Sequence, residues 1–195
     1  MSRHVFLTGG TSEDRSALLI RALSDLRVIS GGYALLSLAE ENGSRSPVLL
    51  LPQEAAAAVF PRRFFPDAGI ASSEALCDAL ASALPSIQEK ELGYLDPLPP
   101  VSLLSAELQS DLSALFASDV ALVGTVEAED SLAFLGAQDS VLLLSLDENT
   151  EEDLISLLRA WADDTLDRAH HKKFDPLMKL RARRRRPDPL SGESK

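Results

Sequence analysis

Eight residues near the start of the chain, Gly9-Gly10-Thr11-Ser12-Glu13-Asp14-Arg15-Ser16, have the types and spacing for phosphate chemistry. Aligned on Gly9 and Ser16, they fall on the pattern G-x-x-x-x-G-K-[ST]. In that pattern backbone N–H groups wrap phosphates, a lysine neutralises the terminal one and the hydroxyl reaches magnesium. Two positions are changed: Asp14 stands at the second glycine and Arg15 at the lysine. Arg15 keeps the charge, but a planar guanidinium does not replace a compact ammonium. Glu13 and Asp14 bring two carboxylates to the mouth of the loop, where like charges about 4 Å apart repel by roughly 4 kcal/mol at an intermediate dielectric. Gly9, Gly10, Thr11, Ser12, Arg15 and Ser16 are therefore the phosphate-binding candidates, with Ser16 the candidate for Mg²⁺. The same residues also read as an ordinary strand-to-helix turn whose acids favour the positive end of a helix.

Other reactive side chains are sparse. His170 and His171 are adjacent, so on a helix they point about 100° apart and share one ion poorly. Cys77 is the only cysteine, which excludes an internal disulfide and a thiolate cluster, and it reads as a small buried hydrophobe. Three histidines and one cysteine give no support to a hydrolytic triad. Phe60, Phe64 and Phe65 around Arg62-Arg63 are either a lid over a base or a loop anchor. The run Arg181-Ala-Arg-Arg-Arg-Arg186 offers charge for nucleic acid without the interleaved aromatics that stack bases.

These candidates must be positioned by the elements around them. His4 to Thr8 is a short apolar run ending in Gly9-Gly10, as buried parallel strands do. Ser16 to Leu26 carries apolar residues at helical spacing. Tyr33 to Leu38 reads as a strand, Asn42-Gly43 as a hairpin turn and Pro47 to Leu51 as the returning strand. Glu54 to Gly69 reads as a loop with a short helical turn. Ser73 is expected to cap a helix reaching about Leu84. Beyond it come a helix over Ser105 to Ala117, a buried strand over Val120 to Val126, a short helix over Asp130 to Gly136 and a second buried strand over Val141 to Leu146. Thr150 with Asp153 resembles a capping box that opens a helix to Ala160 or Trp161, with Trp161 packing on the body. Alternating strands and helices with apolar strands predict a mostly parallel sheet covered on both faces.

Read end to end, the chain resembles the small P-loop nucleoside-triphosphatases first described from thermophiles. Phe6-Leu-Thr-Gly9 corresponds to the strand entering their phosphate loop, and Gly31-Gly32-Tyr33 to the start of their hairpin strand. Glu91-Leu92-Gly93-Tyr94-Leu95-Asp96 is similar to their Asp-Glu-Leu-Gly segment. Val120 to Val126 resembles the next core strand, and Asp147-Glu-Asn149-Thr150-Glu-Glu-Asp153-Leu154 the element that starts the last helix. The resemblance implies a three-layer α/β P-loop domain with an early β-hairpin and ATP or GTP with Mg²⁺ as cofactor. It further implies Glu91 as the water-activating glutamate. The departures fall on the working parts: Lys90 takes the position of the metal-holding aspartate, where an ammonium repels the ion. Thr150 replaces an arginine, and Glu127 stands where a histidine often follows the Thr-Val pair. Lys90 could instead stand in for the missing lysine and form, with Arg15, a metal-free anion site.

Composition sets the limits. The 195 residues suit one domain, expected over 1–166, followed by a basic, partly disordered tail over 167–195. Up to Asp167 the formal charge is −18, from Arg168 onward it is +7, and the whole is −11. An acidic body repels nucleic acid and anionic membrane, while the tail attracts either or folds back. The longest charge-free stretch, Val28 to Ala39, is too short to span a bilayer, and no signal-peptide core precedes it. A cytoplasmic protein without a membrane partner is expected. Three functions follow: a degenerate nucleoside-triphosphatase acting as a binding or regulatory module, an active atypical Mg²⁺-dependent one, or an interaction protein using its acidic body and basic tail.

Overall fold

A computed structural model describes residues 3–24, 31–39, 45–50, 64–66 and 72–184. The chain begins with β1 (His4–Thr8) and α1 (Ser12–Leu23), then β2 (Gly31–Ala39), β3 (Arg45–Leu50) and β4 (Phe64–Pro66). There follow α2 (Ser73–Gln88), β5 (Leu92–Asp96), a 3-10 turn at Val101–Leu103, α3 (Ala106–Ala117) and β6 (Ala121–Thr125). Last come α4 (Glu129–Gly136), β7 (Val141–Ser145) and α5 (Glu151–Arg184). The sheet order is β3-β2-β5-β6-β1-β7, with β4 on β2. β2, β5, β6, β1 and β7 run parallel, while β3 and β4 pair antiparallel with β2. β5 and β4 divide one side of β2, at Gly31 to Ala34 and at Leu36 to Leu38.

Period-two alternation along the strands sorts the core onto two faces. Val5, Leu7, Tyr94 and Val123 pack with Leu19 of α1 and Leu154, Leu158 and Trp161 of α5. Phe6, Leu95 and Leu122 point the other way, against Leu80 and Ile87 of α2, Leu112 and Leu115 of α3 and Leu135 of α4. The result is three layers, as the strand–helix alternation predicts. Two helices lie on one face and three on the other.

Local chemistry sets the boundaries. Ser105 caps α3 by accepting from Leu108 N–H at 3.2 Å, and Thr150 caps α5 in the expected box with Asp153. Several expectations shift. α2 is capped by Ser72 rather than Ser73 and continues through Pro85 to Gln88, so the polar Ser86–Gln88 stretch is helix. Phe64–Pro66, expected in a loop, is a strand. β7 is an edge strand with Leu142 40% exposed, so it is only half covered. α5 runs past the expected helix end at Ala160 or Trp161 and holds as one helix to Arg184, about 50 Å long at 1.5 Å per residue. The Asn42-Gly43 turn, Phe60, Arg185 and Arg186 lie outside the described residues, as do the side chains of Phe64, Phe65, His170 and His171. Among the described residues, no helix is long and apolar enough to cross a membrane.

Candidate functional site

Parallel strands align their carboxyl ends. Leu7 sits opposite Thr125, Thr8 opposite Ser145 and Leu95 opposite Gly124, so Thr8, Asp96, Thr125 and Ser145 end along one edge. The chain leaves β1 for α1 on one face and β6 for α4 on the other. Between these neighbours the connections part, which opens a crevice where α/β sheets place their ligands. The Gly9–Ser16 segment lies at this crevice.

The segment is a two-glycine turn followed by the Thr11 cap and helix. Gly9 and Gly10 have φ of +71° and +57°, the left-handed region that glycine tolerates, and they turn the chain in two residues. Thr11 is already the helix cap: its hydroxyl accepts from Asp14 N–H at 3.1 Å and donates to the Asp14 carboxylate at 2.7 Å. The helix therefore starts at Ser12, four residues earlier than the apolar spacing predicts. Thr11 is spent on the cap, and Ser12 to Ser16 are helical rather than wrapped loop.

Arg15 points back into the turn. It is 3% exposed, and its Nη1 donates to the Gly9 and Gly10 carbonyls at 2.8 and 3.1 Å. Its Nη2 meets the Glu127 carboxylate, just beyond β6, at 3.0 Å. From the β7 side, the Asp147 carboxylate accepts from Gly10 N–H at 3.1 Å. The acids occupying the cradle are thus Glu127 and Asp147. Of the two acids expected at the mouth, Asp14 is hydrogen-bonded to the cap and lines the cleft beside Gly10, and Glu13 is exposed.

Beneath the turn, Ser16 Oγ and Thr125 Oγ1 both donate to Asp96 Oδ1, at 2.8 and 2.6 Å. Asp96 is fully buried and its Oδ2 has no partner among the described residues. Burial pushes its carboxyl up to about 6, against the opposing pull of the Thr125 and Ser16 hydroxyls and the Arg15 charge. A phosphate-loop hydroxyl beside an acid at a strand end is the donor pair that holds Mg²⁺ in P-loop enzymes. The cradle itself does not fit a triphosphate. Its Gly10 N–H is taken by Asp147, and a guanidinium held by two carbonyls and a carboxylate fills the turn.

No family model, curated protein or solved structure matches the chain.

Two expected site residues are displaced. Lys90 and Glu91 precede β5, with Lys90 N–H bonded to the Ile87 carbonyl and the Glu91 carbonyl bonded to Ala121 N–H. Gly9–Ser16 lies at the other end of the strands, roughly 16 Å away for five residues of strand. Glu91 is therefore not placed to orient water at the turn, and Lys90 is not placed to share an anion with Arg15. The acid in position is Asp96, followed by Pro97 rather than a glutamate. Its signal was an apolar Leu-Gly-Tyr-Leu run ending in an acid before a proline-rich turn. Glu127 is marked in the sequence only as a departure after the Thr-Val pair, and Asp147 only as the head of the segment before the last helix. The sheet order brings Glu127 to Arg15 and Asp147 to Gly10. Cys77, expected to be buried, is partly exposed, with Sγ 3.8 Å from the Leu103 carbonyl. Among the described residues no group of three or more His, Cys, Asp or Glu is arranged to hold a metal.

Proposed function

We propose that this chain is a degenerate P-loop nucleoside-triphosphatase-like protein that acts as a binding or regulatory module, with nucleotide binding and hydrolysis weak or lost. The observation that carries this reading is Arg15, buried in the turn and held by the Gly9 and Gly10 carbonyls and Glu127. The turn's place at the carboxyl edge of a parallel sheet, beside the Ser16–Asp96 pair, supports its descent from a phosphate site. A triphosphate entering there displaces the Asp147 and Glu127 contacts and meets both carboxylates as repelling neighbours. The test is a thermal-shift panel of ATP and GTP with and without Mg²⁺. A ligand selective for the native state raises its stability, by about 2.7 kcal/mol at 100-fold excess over Kd. No shift at millimolar nucleotide is expected, and a Mg²⁺-dependent rise of several degrees sinks the reading.

The Ser16–Asp96 hydrogen bond favours a second reading, an atypical Mg²⁺-dependent nucleoside-triphosphatase. That reading expects steady hydrolysis that Asp96→Asn abolishes and Glu91→Gln leaves intact, since Glu91 lies at the far edge of the sheet. Absence of turnover in the unmodified chain removes it.

A further inference from the structure

We infer that Glu127 and Asp147 are the resident anions of the Gly9–Ser16 turn, and that without their two carboxylates the turn takes a free polyphosphate oxyanion at Gly10 N–H and Arg15. This inference rests on the reading above and names what keeps the site closed. The loss of a phosphate loop is usually sought in its own sequence, here the exchanges at Asp14 and Arg15. The exchange at Asp14 does not by itself close the loop, since its carboxylate is folded onto Thr11. Arg15, by contrast, occupies the turn through Nη1 on the Gly9 and Gly10 carbonyls and turns Nη2 to an exposed acid.

The two donors that an oxyanion would use are both present and both already answered by a carboxylate. Gly10 N–H bonds Asp147 at 3.1 Å, and Arg15 Nη2 bonds Glu127 at 3.0 Å. Arg15 also keeps a spare donor, because its buried Nε has no hydrogen-bond partner among the described residues. A buried cation with an unused N–H is a costly arrangement unless something else takes that donor. On the Gly10 side there is space as well: a cleft of about 570 Å³ lined by Gly10, Asp14, Arg21, Asp147, Asn149 and Glu151, though not by Arg15 or Glu127. Both carboxylates come from outside the loop, Glu127 after β6 and Asp147 after β7. Glu127 is 71% exposed and Asp147 is also exposed, so either can swing into water without unfolding anything. The closure is therefore reversible in principle.

The experiment titrates tripolyphosphate, without metal, into the full-length chain by calorimetry. The proteins compared are the unmodified chain, Glu127→Ala/Asp147→Ala, the same pair with Arg15→Gln added, and a charge control, Glu107→Ala/Asp111→Ala, on the exposed side of α3. The double variant is expected to bind at least tenfold more tightly than the unmodified chain, and adding Arg15→Gln removes the gain. A folded double variant without that gain overturns the inference, as does an equal gain in the charge control or persistence of binding after Arg15→Gln. If the alanine pair does not fold, Glu127→Gln/Asp147→Asn removes the same charge isosterically and is held to the same threshold. Nucleotide binding by the unmodified chain defeats the reading of lost function. The comparison between the unmodified chain and the double variant judges the inference separately.

Discussion

At the scale of single residues, two buried titratable groups near the sheet pull stability in opposite directions with pH. His4 is fully buried, its Nδ1 accepting from Leu122 N–H at 3.2 Å and its Nε2 facing the Phe116 carbonyl at 3.1 Å. Burial lowers it from 6.5 to about 4, with the Phe116 carbonyl pulling the other way. Between these values the unfolded chain holds a proton that the folded chain lacks, so stability rises as pH rises from about 4 to 6.5. Burial raises Asp96 from 3.8 to about 6, and in that window the folded chain holds the extra proton. Its contribution therefore falls as pH rises from about 4 to about 6. Each effect is on the order of 3 kcal/mol, so in the unmodified chain they largely cancel. Denaturant unfolding across this range separates them. Relative to the unmodified chain, Asp96→Asn gains stability with rising pH, while His4→Gln loses it. A difference of opposite sign for either variant removes that group's assigned burial effect.

Among the elements, β2 and β5 pair in parallel through Gly32 and Tyr94 at the start of β2. Gly32, with φ of +111°, lies where a Cβ would stand 1.9 Å from the Tyr94 carbonyl oxygen, so the strands approach closer than any side chain permits. Gly32→Ala meets both strain at positive φ and a backbone clash that no rotamer relieves. A loss of roughly 3 kcal/mol or more is expected, read as a fall in denaturation midpoint. The residues that shape this junction, Gly31-Gly32-Tyr33, stand out in the sequence as a double glycine opening a strand. Helix starts were less legible. α1 was expected from Ser16 because the apolar stripe begins there, whereas the Thr11 cap begins the helix one turn earlier with polar residues. Caps act through one side chain and carry no periodicity, so an apolar pattern does not reveal them.

Across the whole molecule, charge is the dominant global property. The chain carries −11 overall, with −18 borne by the residues up to Asp167. Self-repulsion of this kind opposes the compact state and is screened by salt. Raising NaCl from about 20 mM to about 500 mM is expected to raise Tm by several degrees, since 1 kcal/mol moves a domain of this size by about 2–4 °C. A constant or falling Tm instead means that local pairs such as Arg15–Glu127 and Arg21–Glu151 outweigh net repulsion. The long α5 carries the chain from the acidic body into its basic segment without a break in the backbone, ending at Arg184. Charge partition was visible in the sequence, but the continuity of the helix was not, because Lys and Arg favour helix without adding apolar spacing.

Period and composition alone determined the α/β class, most of the strand and helix positions and the location of the turn at Gly9–Ser16, because these depend on neighbours within a few residues. Only the tertiary structure decided what the turn contains. Asp96, Glu127 and Asp147 lie 80, 112 and 137 residues from Ser16, Arg15 and Gly10 along the chain and meet them through the order β5-β6-β1-β7. Strand order is set by packing over the whole sheet, and no local pattern of residues encodes which carboxylate will face a given arginine.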